Sequence, residues 1–189
     1  QFNYKGDVTP SFMFSKWYYA MNIIKNYMSW QRRGGIVKFV NFNNFANTHS
    51  QNVIETPKEG TYLSASGKAF ELLSRSPARW PLEIADYTPQ LAKEFQVQAA
   101  WSHGREKLVL YCYNRTEKER KIEFDLSEIE KVFTHLERNV LYADGPFEMN
   151  TLSDPYNIKR NDSQISNLEI CENLSVNVPK WSFIQIILN

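Results

Sequence analysis

Apolar residues recur at three- and four-residue steps near the start of the chain and at two-residue steps toward its end. Trp17, Met21, Ile24 and Met28 form one stripe, and Ala20 and Tyr27 widen it. Lys16, Asn22, Lys25, Asn26 and Ser29 fall largely on the opposite side. This predicts one long amphipathic helix. Thr9-Pro10 reads as its N-cap and first position, where a missing N–H costs nothing. Arg32 and Arg33 suit the negative end of its dipole, and Gly34-Gly35 stops it. Ile36 to Phe45 fits a strand or a short helix equally. Asn52-Val-Ile-Glu55 reads as a buried strand and Thr56 to Gly60 as a turn. A second helix is predicted from Ser66 to Arg75, with Ala69, Phe70, Leu72 and Leu73 facing inward.

The break Ser76-Pro-Ala-Arg-Trp-Pro81 ends the helical period. Strands are expected over Phe95–Trp101, Lys107–Tyr113, Arg120–Leu126, Val132–Tyr142, Leu168–Val178 and Trp181–Leu188. Turn residues separate them, which suggests a β-sandwich or barrel. The chain therefore divides near residue 80. Residues 1–80 form a helical segment with one or two strands, and 81–189 form an antiparallel β-sandwich, an α+β, mainly β arrangement. The first segment leaves apolar faces uncovered, so it either completes a larger α/β body or packs hard on the sandwich. As a separable piece it is expected to be the unstable part, and trimming to 85–189 is expected to improve solubility.

Composition narrows the options. The 22 basic and 21 acidic residues give a net charge of +1, no footprint for nucleic acid and no attraction to an anionic membrane. No apolar run approaches the ~20 residues that span a bilayer. The first seven residues lack the basic and apolar regions of a signal, and no Met opens the chain. The chain is thus expected to be a piece of a longer protein, and a cytoplasmic location is favoured over secretion. Cys112 and Cys171 read as small buried hydrophobes rather than a bridge. Asn114, Asn161 and Asn173 head Asn-x-Ser/Thr triplets.

Three phrases carry more information than the totals. They are Lys107 to Thr116, with Asn-Arg-Thr after an apolar strand; Asn150 to Ile158, with Asn-Thr before Asp-Pro; and Leu174 to Leu188, with Pro179-Lys-Trp-Ser-Phe183. Their order and spacing resemble the C-terminal region of α-L-arabinofuranosidases of glycoside hydrolase family 51. The resemblance implies the end of a (β/α)₈ barrel followed by a C-terminal β-sandwich. The long helix, Asn47 to Ile54 and the second helix would be the barrel's last βα units. In that family two Glu residues, an acid/base and a nucleophile, lie upstream. No catalytic residue is therefore carried over to this chain.

Such barrels act at the C-terminal ends of their strands, which makes His49, Gln51 and Glu55 the candidate substrate-binding residues. The family's Gln in this region falls nearest His49 when aligned on Asn52-Val-Ile54; as residues alone, His49 reads equally as a capping or loop residue, and Glu55 reads rather as an exposed loop carboxylate beside Thr56-Pro57. His103 and His135 have no ligand-spaced partners, so no metal is expected, and no cofactor. The basic groups Arg32-Arg33 and Lys118 to Lys121 read as solvated faces. Trp101, Tyr111, Tyr113 and Trp181 are candidates for a sugar-stacking platform on the sandwich, against a prior that most such aromatics are packing. The resemblance implies an arabinose-containing oligo- or polysaccharide as substrate, the upstream barrel as partner, and, by analogy, a homo-oligomer. The alternatives are a non-catalytic carbohydrate-binding or protein-interaction sandwich, and the same region of a glycosidase acting on another sugar.

Overall fold

A computed structural model describes residues 15–34, 36–37, 40, 45–46, 52–85 and 93–189. Among the described residues there are two α-helices, α1 (Trp17–Arg32) and α2 (Ala65–Ser74), and ten strands; the helices, a six-stranded sheet and a β pair make three layers, with a short hairpin apart. The strands are β1 (Ile54–Glu55), β2 (Tyr62–Leu63), β3 (Ala78–Leu82), β4 (Phe95–Ser102), β5 (Leu108–Asn114), β6 (Arg120–Asp125), β7 (Phe133–Tyr142), β8 (Lys159–Ile170), β9 (Asn173–Val178) and β10 (Ser182–Leu188). The central layer is an antiparallel six-stranded sheet in the order β3-β4-β5-β10-β7-β8. The helices cover one face of it and the β6–β9 pair covers the other.

The predicted helical stripe is the buried one. Trp17, Ala20, Met21, Ile24 and Met28 have no exposed surface. The start differs from the sequence reading. Thr9-Pro10 lies outside the described residues, and α1 begins at Trp17 after Lys16, whose side chain makes no cap. The freed amides are satisfied from a distant loop: Trp17 N donates to Glu148 O at 2.7 Å and Tyr18 N to Pro146 O at 2.8 Å. At the other end Arg32 is not a solvated cation. It donates to Gln98 Oε1 at 2.9 Å and Gln96 Oε1 at 3.3 Å, tying the helix to β4. Helix α2 falls where the periodicity put it, capped by Ser64 Oγ, which accepts from Gly67 N at 3.0 Å.

The alternation along β5 sorts its side chains between two cores. Val109, Tyr111 and Tyr113 join the helices, Phe183 and Leu141 in one cluster. Leu108, Leu110 and Cys112 join Ile184, Ile186, Phe124 and Val176 in the other. Both faces of β5 and β10 are therefore buried. Helices and sandwich share one continuous cluster that runs from Trp17 to Ile187. Of the two packing options left open for the first segment, the described part packs hard on the sandwich.

Three strand expectations are corrected. Leu168–Val178 is not one strand but the end of β8, a turn at Cys171-Glu172, and β9. Cys171 is consequently exposed rather than a buried hydrophobe; Cys112 is buried, and both are free thiols. β8, a twelve-residue and mostly exposed strand, was not anticipated. β3 begins at Ala78, inside the stretch read as a break. Ile36 to Phe45 lies mostly outside the described residues.

Candidate functional site

Of the three candidate residues, His49 and Gln51 lie outside the described residues. Glu55 ends β1, which pairs antiparallel with β2 in the register Ile54↔Leu63 and Glu55↔Tyr62. The short hairpin is held from several sides. Val53 and Ile54 N–H groups donate to Phe45 O at 3.0 Å. Ser64 N donates to Val53 O at 3.1 Å, and the Ser64 hydroxyl donates to Asn52 O. Asn150 Nδ2 donates to Leu63 O at 2.9 Å. A Cβ at Gly67 would stand 2.1 Å from Val53 O, so only glycine lets α2 approach the strand this closely.

Glu55 is half-buried, and its Oε2 accepts from Asn52 Nδ2 at 2.9 Å. Asn52 was read only as part of a strand; it is the residue that orients the candidate carboxylate. Across the pair, burial first and the Glu55 charge second push the Tyr62 phenol above its ordinary range. This is a carboxylate, an amide and a phenol on one edge, a set that can hold hydroxyl groups. Glycoside hydrolysis needs a second carboxylate ~5–5.5 Å away in retaining enzymes, and the partners seen for Glu55 are Asn52 and Tyr62. Among the described residues no group of three His, Cys, Asp or Glu could hold a metal ion, and no helix is long and apolar enough to cross a membrane.

The proposed aromatic platform is internal. Tyr111 and Tyr113 have no exposed surface, and Trp181 is 8% exposed. Tyr111 stacks on Phe183 at 5.5 Å and bonds the Ser76 hydroxyl. Trp101 is half-buried against Phe133. Tyr111, Tyr113 and Trp181 pack because the helices occupy their face of the sheet, whereas Trp101 lies on the opposite face.

The three sequence phrases act as braces. Asn114 is fully buried. Its Nδ2 donates to the carbonyls of Lys118 and Pro179 at 2.8 Å and of Val178 at 3.2 Å, which joins the β5–β6 turn to the β9–β10 turn. Asn150, also buried, accepts from Ile158 N at 2.8 Å while it holds β2. Trp181 adopts a left-handed φ of 46°, and its carbonyl accepts from Trp17 Nε1 at 2.8 Å, pinning α1 to the last turn. Of the glycosylation triplets, Asn161 and Asn173 are exposed and Asn114 is not.

No family profile and no curated protein sequence matches the chain. Solved structures do match its fold. An arabinose-bound family 51 α-L-arabinofuranosidase, MgGH51, superposes with a TM-score of 0.80 at 16% identity, over 93% of this chain and 28% of its own. The α-L-arabinofuranosidase of Thermotoga maritima, in complex with arabinose, gives 0.68 at 16% identity, over 90% and 37%. A family 51 α-L-arabinofuranosidase from Bifidobacterium longum gives 0.67 at 13% identity, over 92% and 35%. The chain has the fold of part of these proteins and spans 28–37% of their length.

Proposed function

We propose that this chain is the C-terminal part of a glycoside hydrolase resembling α-L-arabinofuranosidase, in which it braces the catalytic barrel and performs no chemistry itself. The parent would remove terminal α-L-arabinofuranosyl groups with retention, using an acid/base Glu and a nucleophile Glu outside this chain. The observation that carries this reading is the superposition over 93% of the chain on an arabinose-bound enzyme. The sequence phrases agree with it independently, since Asn114, Asn150 and Trp181 each tie two distant segments together. Glu55, steadied by Asn52, would sit at the end of the last barrel strand and contact the sugar there, joined by His49 and Gln51. An exposed stacking surface would have favoured the binding-module alternative; Tyr111, Tyr113 and Trp181 are packed inside and do not form one platform with Trp101, which favours the brace.

The test is hydrolysis of 4-nitrophenyl α-L-arabinofuranoside by the chain alone and by the protein with the upstream segment of its gene restored. Activity in the restored protein only is expected. Activity in neither refutes the arabinofuranosidase reading, and activity in the chain alone refutes the assignment of chemistry to the upstream part.

A further inference from the structure

The helix-side face of the central sheet is not covered to its far edge. Beyond α2, over β10, β7 and β8, it opens into a groove of about 480 Å³, within the ~300–1,000 Å³ of small-molecule sites. Its floor is polar although it lies in the middle of the sheet. Gln185, Asn139 and Asp162 stand in one row across β10, β7 and β8. Gln185 is 1% exposed and Asn139 5%. Asn139 Nδ2 donates to Glu137 Oε1 at 2.7 Å and to Gln185 Oε1 at 3.3 Å. Among the described residues Gln185 Nε2 has no partner. A buried donor of this kind is an unmet hydrogen bond that an acceptor reaching the floor would complete.

The charges on the walls balance once Lys107 and Glu137 are included: Arg75, Lys107 and Arg160 stand against Glu71, Glu137 and Asp162. Arg160 lies between Asp162 at 2.7 Å and Glu71 at 3.4 Å, and Arg75 reaches Glu71 at 3.5 Å. The groove therefore presents no surplus charge for an ion. It presents planar amide, guanidinium and carboxylate edges with donors and acceptors side by side. A hydroxyl donates and accepts at once, so a neutral ring bearing several hydroxyls matches this lining. We infer that the groove is a saccharide-binding site for a short neutral oligosaccharide, with Gln185 and Asn139 as its floor. The inference shares with the reading above only the class of molecule; it stands on the groove's own chemistry.

The experiment is a titration of the isotopically labelled 189-residue chain with α-1,5-linked arabinotriose, followed through side-chain amide resonances. Saturable shifts of the Gln185 and Asn139 amides are expected, with a millimolar midpoint. Gln185→Leu should abolish the shift of the Asn139 amide, and Arg75→Ala, at the exposed rim, should weaken both shifts several-fold without touching the core. If Gln185→Leu does not fold, Arg75→Ala carries the comparison. No shift of either amide overturns the site. So does an equal response to sodium acetate, which would make it an anion site, and so does a sugar response confined to other residues. A failed titration leaves the nitrophenyl-arabinoside test untouched, and an inactive restored parent leaves the titration untouched.

Discussion

Replacing Asn114 by alanine removes five hydrogen bonds with one side chain. Its amide nitrogen serves Lys118 O, Pro179 O and Val178 O, and its oxygen accepts from Thr116 N at 3.1 Å and Thr116 Oγ1 at 2.7 Å. The losses are unequal. Lys118 is exposed and Thr116 half-buried, so water replaces much of what they lose. Val178 is fully buried, and Pro179 beside it is half-buried. Pro179 O keeps the Ser182 hydroxyl at 2.6 Å, so it loses a bond worth about 1 kcal/mol, while Val178 O loses a similar bond and risks a desolvation penalty of ~1–3 kcal/mol. The expected loss is about 3 kcal/mol, against ~1 kcal/mol for an ordinary substitution. Urea unfolding followed by tryptophan fluorescence measures it, as a lowered midpoint with an unchanged slope. Asn114→Asp is the sharper comparison. It keeps the Thr116 contacts but points a carboxylate oxygen at three carbonyls, so it should be at least as damaging as alanine. A loss below about 1 kcal/mol for alanine, or an aspartate variant milder than alanine, would refute the brace.

Gln185→Leu should leave the urea midpoint nearly unchanged, because it removes a buried donor with no partner among the described residues but also the oxygen that accepts from Asn139 Nδ2; a large fall in urea midpoint would contradict this. Burial pushes the Cys112 thiol up to about 12, with Arg138 opposing, and pushes Tyr111 and Tyr113 upward as well. A raised folded value means stability is complete below the unfolded thiol's ~8.5 and is lost as pH rises toward the folded value; a urea midpoint that stays flat from pH 8 to 11 would count against it. In native protein a thiol reagent should titrate exposed Cys171 alone, and in urea both cysteines; Cys112 modified at the Cys171 rate would mean its core is open. Removing residues 1–80 should bare Tyr111, Tyr113, Phe183 and Ile187 and give aggregation, the reverse of the gain in solubility that the sequence suggests; a monomeric, cooperatively unfolding 85–189 would overturn that.

What was legible in the sequence follows physical lines. β5 and β10 are near-continuous apolar runs, so their existence was plain. Which face met which partner was not, because a run buried on both sides has no alternation that distinguishes helix from sheet. That is why Tyr111 and Tyr113 could be read as a platform. β8 was hidden for the opposite reason: Lys-Arg-Asn-Asp-Ser-Gln carries almost no apolar signal, and backbone pairing to β7 holds it in place. The β8–β9 turn was hidden because Leu168, Ile170, Leu174, Val176 and Val178 keep the same two-residue phase through Cys171-Glu172. At the site, Glu55 was visible from its place after Val53-Ile54, but Asn52 as its anchor required the fold. Gln185 carries a signal of its own in the sequence, a lone amide inside Phe183-Ile-Gln-Ile-Ile187.

The strand order of the central sheet has a consequence for how the chain is made. β10 lies between β5 and β7, yet it is synthesised after both. Until it emerges from the ribosome, β3-β4-β5 and β7-β8 exist as two half-sheets, each with an open apolar edge. Such edges invite pairing with other chains, and closure waits on contacts of long sequence separation, which form slowly. From the completion of β8 at Ile170 until Ser182–Leu188 is made, the nascent chain holds two adhesive halves awaiting one seven-residue keystone. Its yield in a cell should depend on chaperone occupancy more than its finished stability would suggest.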